Sequence, residues 1–462
     1  MFRTLDSTAT EMDLVRSPAR LGLFARRIGL VLRLVIGSAC ATLLLFLAAH
    51  LTTVGEESQS RFEIALAAAL FVGLMLMLVP GKNASRFRSQ LTALGIGCLL
   101  AFGMLEVYVR QFDPFPILLR AGRIDLPANT EREFSSDNIP GLDPVIKVSY
   151  NSLGFRGPER PQPWAEYLTI LCVGGSTTQC LYLSDGTSWP DRLGANLVEH
   201  FDRVWVNNAG IDGHSTFGHL ELFEQYIAAL HPKVILAYVA LNDVDRNDLN
   251  QYDESTFRNR SRADDSNSRW IQRVLLRNSD AFALMDNLRL HLLAMRKGLT
   301  HGQFTSHQHF ASQFQKLSLT SEARHSWLAQ RSPDCLSGYR KRLERLLKRC
   351  ADEQILCVLI TQPTLYGEGI DDVTGMDLES VKVGDVDGWT QWQLLKQYNQ
   401  VTLEVASQMN VPAIDVARQM PKSSKYFYDL THCNIDGAAK VSELVQYDLV
   451  GILKQRFPTY FR

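Results

Sequence analysis

The chain has almost no net charge: 48 lysines and arginines face 49 aspartates and glutamates, a balance of -1. Proteins that bind nucleic acid usually carry a basic excess or stripe, so no nucleic-acid partner is expected. The eight cysteines form no CxxC pair and no zinc-like spacing, which leaves no basis for a cysteine-built metal centre. Cys172 and Cys357 fall in strand-like runs and read as small core residues. If residues 335–350 are one straight helix, a rise of about 1.5 Å per residue holds Cys335 and Cys350 roughly 22 Å apart, beyond disulfide reach. The turn Gly174-Gly175-Ser176-Thr177-Thr178 lacks the lysine of a GxxxxGK[ST] phosphate loop. Nor is it a G-x-S-x-G elbow, because Thr178 stands where the second glycine belongs. His301, His307 and His309 have no acidic or cysteine partners at ligand spacing, so neither a metal nor a cofactor is expected. There is no internal repeat.

What is present begins with three apolar stretches, at residues 34–51, 64–79 and 91–109. A membrane-spanning helix needs about 17–25 apolar residues; the first and third suffice, and the second gains length from Phe62 and Pro80 at its ends. Arg16, Arg20, Arg26 and Arg27 precede the first stretch. Glu56, Glu57 and Glu63 dominate the first loop, and Lys82, Arg86 and Arg88 fill the second. By the positive-inside rule the N-terminus and second loop are cytoplasmic, and the chain beyond about Arg110 is extracytoplasmic, periplasmic or extracellular. Arg33 and Glu106 lie at segment ends, where long side chains snorkel, and are assigned no role.

Prolines at 114, 116, 127 and 140 make residues 111–150 read as an extended linker. Apolar runs follow at 168–173, 204–206, 234–240, 355–361 and 411–416, the signature of buried parallel strands. Helical periodicity lies between them, at 191–200, 220–230, 336–350 and 391–408. The expected fold is α/β: a three-layer, doubly wound, mostly parallel sheet, preceded by three transmembrane helices. Residues 1–110 form the membrane region and 151–462 the catalytic domain. Residues 246–333 break the alternation, with helical periodicity only around 271–296, and read as an insertion near the mouth of the site.

In such sheets ligands bind beyond the carboxyl ends of the strands. After the first run comes Gly174-Gly175-Ser176; after the second, Asn208-Ala209-Gly210-Ile211-Asp212-Gly213; after the third, Asn242-Asp243; near the C-terminus, Asp429-Leu430-Thr431-His432. A serine hydroxyl needs a base to become a nucleophile. His432 has a pKa suited to that task, and Asp429, three residues earlier, is placed to fix its tautomer. Taken in order from about residue 151 to the end, the four blocks resemble the SGNH (GDSL-like) hydrolase superfamily, whose fold is flavodoxin-like. The resemblance implies Ser176 as nucleophile, His432 as base and Asp429 as its partner. It also implies an oxyanion hole made by the N–H groups of Ser176 and Gly213 and the amide of Asn242. Gly213 is chosen over Gly210 because the family's glycine falls five residues after the asparagine.

Two departures stand out. Gly175 replaces the usual aspartate before the serine, and Ala240-Leu241 replace glycine-containing sequence before Asn242. Residues 151–157, Asn-Ser-Leu-Gly-Phe-Arg-Gly, resemble the leading segment of membrane-tethered relatives and equally suit a glycine-bounded turn into the core. Cys180 and Cys433 each lie near a proposed catalytic residue, which leaves a pairing between them open.

The resemblance implies a membrane-anchored serine esterase acting on an O-acyl, foremost O-acetyl, ester of an extracytoplasmic glycan or glycolipid. The alternatives are an O-acyltransferase that uses the same acyl-enzyme to modify envelope polysaccharide, and a non-catalytic glycan-binding module. Besides the substrate and the membrane, envelope-biosynthesis proteins are conceivable partners.

Overall fold

The apolar run after residue 167 forms the central strand of a five-stranded sheet in the computed structural model, which describes residues 85–112, 119–120, 123–136, 139–244, 275–296, 315–331 and 333–462. The described residues divide into two compact units, one within 1–121 and 261–288, the other within 122–260 and 289–462.

The second unit opens with a hairpin, β1 (Thr130–Ser135) and β2 (Val145–Tyr150). Its sheet comprises β3 (Leu168–Gly174), β4 (Val204–Asn208), β5 (Val234–Tyr238), β6 (Leu356–Ile360) and β7 (Ala413–Ile414). The order is β7-β6-β5-β3-β4, and every pairing within it is parallel. Ile170 pairs with Val206 on one side and Val234 on the other. All seven residues of β3 are buried, which is why the strand reads as an unbroken apolar run: a parallel strand is covered on both faces.

Side chains alternate across the sheet. Leu168, Ile170 and Cys172 share a core with Leu193 and Leu197 of α3 and Val441, Val445 and Leu449 of α9. Leu171, Val173, Ile235 and Ala237 are buried on the opposite face. The helices relevant to the site are α1 (Ser85–Phe112), α2 (Ser176–Gln179), α3 (Trp189–Leu197), α4 (Thr216–Leu222), α5 (Asp280–Arg296), α6 (Ser321–Gln330), α7 (Pro333–Asp352), α8 (Gly388–Gln408) and α9 (Ile435–Arg456). Helix α3 packs with α9, and α7 packs with both α4 and α8. The five expected strands, the interleaved helices and the three-layer α/β arrangement are all present. Cys335 and Cys350 lie on the single helix α7.

Three expectations need correction. Among the described residues no helix is long and apolar enough to cross a membrane, so the third expected transmembrane helix finds no support. The stretches at 34–51 and 64–79 lie outside the described residues, and the third falls on α1. Second, Glu106 has a role: its carboxylate accepts from the N–H groups of Asp280 and Ala281 (3.1 and 3.0 Å) and caps α5 within the first unit. Third, part of the expected extended linker at 111–150 is paired: residues 130–135 and 145–150 form the antiparallel hairpin β1–β2. Half-buried and exposed positions alternate along β1, and β2 buries Ile146, Val148 and Tyr150, while Pro127, Pro140 and Pro144 stand outside the ladder, where no N–H is needed. Within 246–333 the structure describes α5, α6 and the residues beside them; His301, His307 and His309 lie outside the described residues.

Candidate active site

Ser176 is the first residue of α2, at the carboxyl end of β3. Its Oγ lies 2.8 Å from Nε2 of His432, and Nδ1 of His432 lies 2.6 Å from Oδ2 of Asp429. The spacing of three works because residues 428–432 form a tight loop in which Tyr428 N–H donates to the His432 carbonyl at 3.0 Å. The other oxygen, Asp429 Oδ1, accepts the N–H of Thr431 at 2.6 Å and that of His432. One buried carboxylate thus folds the loop and orients the ring. Tyr428 stacks on the imidazole, with ring centroids 5.7 Å apart and planes 10° from parallel.

Burial on its own would lower the pKa of His432, but the charge of Asp429, the hydrogen bond to it and the charge of Asp212 together raise it above the ordinary value. The half-buried imidazole therefore takes up a proton more readily than a free histidine.

Asn242 sits on a single helical turn, 241–243, just past β5. Its Nδ2 donates to the His214 carbonyl at 3.0 Å, and a primary amide carries a second proton. The preceding Ala240 has φ +103°, a conformation that costs an L-residue free energy; the glycine usual in the family would adopt it freely. Leu241, the other departure, lines the cavity. Gly213 has φ +69° at the third position of a turn closed by His214 N–H to the Ile211 carbonyl (3.1 Å). Only glycine occupies that position without strain.

The structure therefore gathers Ser176, Asp429 and His432 into one hydrogen-bonded line, with Asn242 beside Gly175. A cavity of about 510 Å³ opens over them, walled by Tyr182, Asp212, Tyr366 and Tyr428 among others. Cys180 and Cys433 are not joined: both are free thiols, and burial pushes the Cys180 thiol up to about 12. Among the described residues no group of three or more histidine, cysteine or acidic side chains could hold a metal.

Sequence reasoning passed over several supporting residues. Gln362, two residues past β6, donates from Nε2 to Thr177 Oγ1 (2.7 Å) and accepts Leu241 N–H on Oε1 (3.1 Å). Asn399 of α8 holds the Gln362 backbone on both sides, at 3.1 and 3.0 Å. One amide thus ties the residue after the serine to the turn that carries Asn242. Half-buried Lys422 donates to the carbonyls of Thr364 and Tyr366 (2.9 and 2.6 Å) and so holds the loop that brings Tyr366 to the cavity. Burial pulls its pKa down to about 7.

A parallel doubly wound sheet with a serine, an imidazole and a carboxylate in line beyond its strands describes a serine ester hydrolase. The chain belongs to the GDSL-like Lipase/Acylhydrolase family, whose model matches residues 172–440, more than half of the chain, and it is a member of the SGNH superfamily. No curated protein matches it significantly. Similar solved structures include a lipase/acylhydrolase from Enterococcus faecalis, at 15% identity over 61% of this chain and 96% of that one, with a TM-score of 0.33. The acetyl xylan esterase AlAXEase shares 13% identity over 61% and 98% of the two chains, with a TM-score of 0.34. Axe2, an acetylxylan esterase from Geobacillus stearothermophilus, shares 13% over 61% and 93%, also at 0.34.

Proposed function

We propose that this enzyme cleaves an O-acyl ester, foremost an O-acetyl ester, of a glycan or glycolipid, through an acyl-enzyme on Ser176. The observation that carries the reading is the unbroken line from Asp429 Oδ2 to His432 Nδ1 and from Nε2 to Ser176 Oγ. Ser176 Oγ attacks the ester carbonyl and passes its proton to Nε2 of His432. The resulting oxyanion is met by the N–H groups of Ser176 and Gly213 and the free amide proton of Asn242. The tetrahedral intermediate then collapses, the bond to the sugar oxygen breaks, and His432 protonates that oxygen so that the sugar leaves as a free hydroxyl. Water, deprotonated by the same imidazole, hydrolyses the acyl-enzyme.

The cavity lining supports a sugar. Tyr182, Tyr366, Tyr428, Gln179 and Gln391 offer aromatic faces, hydroxyls and amides, which suit a ring that is apolar on its faces and polar at its edge. Among the described lining residues there is no lysine or arginine to receive a phosphate or carboxylate, and Asp212 adds a negative charge. A membrane tether belongs to the same proposal, on the apolar stretches at 34–51 and 64–79 and their basic flanks. A carbonate wash that frees the full chain from membranes would overturn it.

The deciding experiment is labelling of the full chain by a fluorophosphonate, beside Ser176→Ala. Labelling lost in the variant, with unchanged melting temperature, is expected. Equal labelling, or none of either folded protein, rejects Ser176 as nucleophile. Products formed in the presence of an added sugar acceptor then distinguish hydrolysis from acyl transfer.

A further inference from the structure

Residues 130–157 lie before the family match and touch no reacting atom, yet they converge on the loop that follows the nucleophile's helix. Arg156 is 1% exposed. Its Nη1 donates to the carbonyls of Gln179 and Cys180, both at 2.7 Å. Its Nη2 donates to the Leu183 carbonyl (2.8 Å) and to Asp185 Oδ1 (3.2 Å). The other oxygen of Asp185 accepts from the N–H and hydroxyl of Ser149 on β2, at 2.8 and 2.6 Å. The backbone that carries the guanidinium is itself anchored to the sheet, since Arg156 and Asn208 exchange backbone hydrogen bonds of 3.0 and 2.8 Å. Asn151 folds the turn that delivers it: Oδ1 accepts the N–H groups of Leu153 and Phe155 (3.0 and 3.2 Å), and Nδ2 donates to Asn207 Oδ1 (2.6 Å).

The loop so held turns at Cys180, whose φ of +50° is costly for an L-residue. It supplies Gln179, Leu181 and Tyr182 to the cavity wall. The hairpin supports the same wall from outside. Phe134 of β1 meets Tyr182 edge-on at 5.6 Å, Tyr182 meets Tyr428 at 5.9 Å, and Tyr428 stacks on His432. Leu181 and Tyr182 also pack on Ile146, Val148 and Tyr150.

We propose that the hairpin and the 151–157 turn form a brace that sets the shape of the cavity wall at 179–182, with Arg156 as its positioning residue, and so decides how bulky an ester the site admits. A planar guanidinium can span three carbonyls and a carboxylate at once; an ammonium is a point charge with three donors and cannot reproduce that fork. Arg156→Lys therefore keeps the charge and lets the loop shift, and Phe134→Ala removes the outer aromatic support while leaving every Arg156 bond in place. The proposal rests on the reading of Ser176 as nucleophile.

The test compares full-length wild type, Arg156→Lys and Phe134→Ala on p-nitrophenyl acetate and on an O-acetylated oligosaccharide, with fluorophosphonate labelling alongside. KM for the oligosaccharide should rise about tenfold in both variants, a misplacement effect. Turnover of the small ester and the rate of labelling should stay within about twofold. Equal losses on both esters, or an unchanged oligosaccharide KM in folded variants, overturn the proposal. If Arg156→Lys does not fold, Phe134→Ala decides alone, and an unchanged KM there overturns it. Absence of labelling in wild type removes the Ser176 reading and this proposal with it.

Discussion

The side-chain nitrogen of Asn242 occupies the space that a β-carbon on Gly175 would need: a Cβ there would lie 2.1 Å from Nδ2 and 3.1 Å from the His214 carbonyl oxygen. The glycine before the serine, where the family usually has an aspartate, thus leaves the Asn242 amide room to stand against the backbone at 175. Gly175→Ala must push that amide aside, since a contact this short cannot persist and the His214 carbonyl blocks part of the retreat.

Gly175→Ala and Asn242→Ala should therefore damage the same step. Each should lower kcat by about 10²–10³, the cost of one oxyanion donor. The double variant should be little worse than either alone, because the two share one interaction. Steady-state kinetics on the three proteins measure this; multiplicative losses would mean that Gly175 matters for some reason other than Asn242.

The pH profile follows from His432. Its pKa stands above the ordinary value of about 6.5, and only the neutral ring can accept the serine proton. The rate should rise with pH, and the acidic limb of kcat/KM should have its midpoint above about 6.5. Asp212→Asn should move that limb downward. Asp429→Asn should move it further and lower the rate by about 10²–10⁴. The linkage to stability runs the other way. A raised folded pKa stabilises the fold fully below the unfolded value and loses that contribution as pH climbs through the folded one. The pair thus adds least to stability where the enzyme works best. A limb at or below 6.5 would show that the carboxylates do not outweigh burial.

The parts legible in the sequence are those whose physics is local. An unbroken apolar run such as 168–173 announces a strand covered on both faces, and Ser176 and Asn242 follow such runs directly. Asp429 and His432 are legible because one tight loop holds both. Gln362 obeys the same strand-end rule as Ser176, yet a lone glutamine carries no chemistry to single it out; its meaning comes from Thr177 and Leu241, 185 and 121 positions away. The 151–157 segment stands out in the sequence as a turn into the core, but nothing local shows that Arg156 holds the carbonyls of Gln179, Cys180 and Leu183. The hairpin was hidden by prolines that flank its strands without entering them. Which wall Tyr182 and Tyr428 would build was invisible because it depends on three separate segments meeting.

Glu106 shows the same limit in the first unit, and it yields the last prediction. Its carboxylate accepts from Ser279 Oγ at 2.7 Å and from the first two N–H groups of α5, while Arg110 Nε holds it at 2.7 Å and Arg110 Nη2 donates to the Asn278 carbonyl at 2.6 Å. Phe102 and Phe282 pack nearby, centroids 4.9 Å apart. Helix starts leave N–H groups without partners, and a negative charge there also complements the helix dipole. Glu106→Ala removes acceptor and charge together and should cost about 1–2 kcal/mol at this helix start. Glu106→Gln keeps an acceptor oxygen and should cost less. Hydrogen exchange at the amides of Asp280 and Ala281 should quicken by about tenfold in the alanine variant, the factor that 1.4 kcal/mol represents, with the strands of the second unit unchanged. Exchange at those two amides that stays at the wild-type rate would mean that Ser279 alone suffices to start the helix.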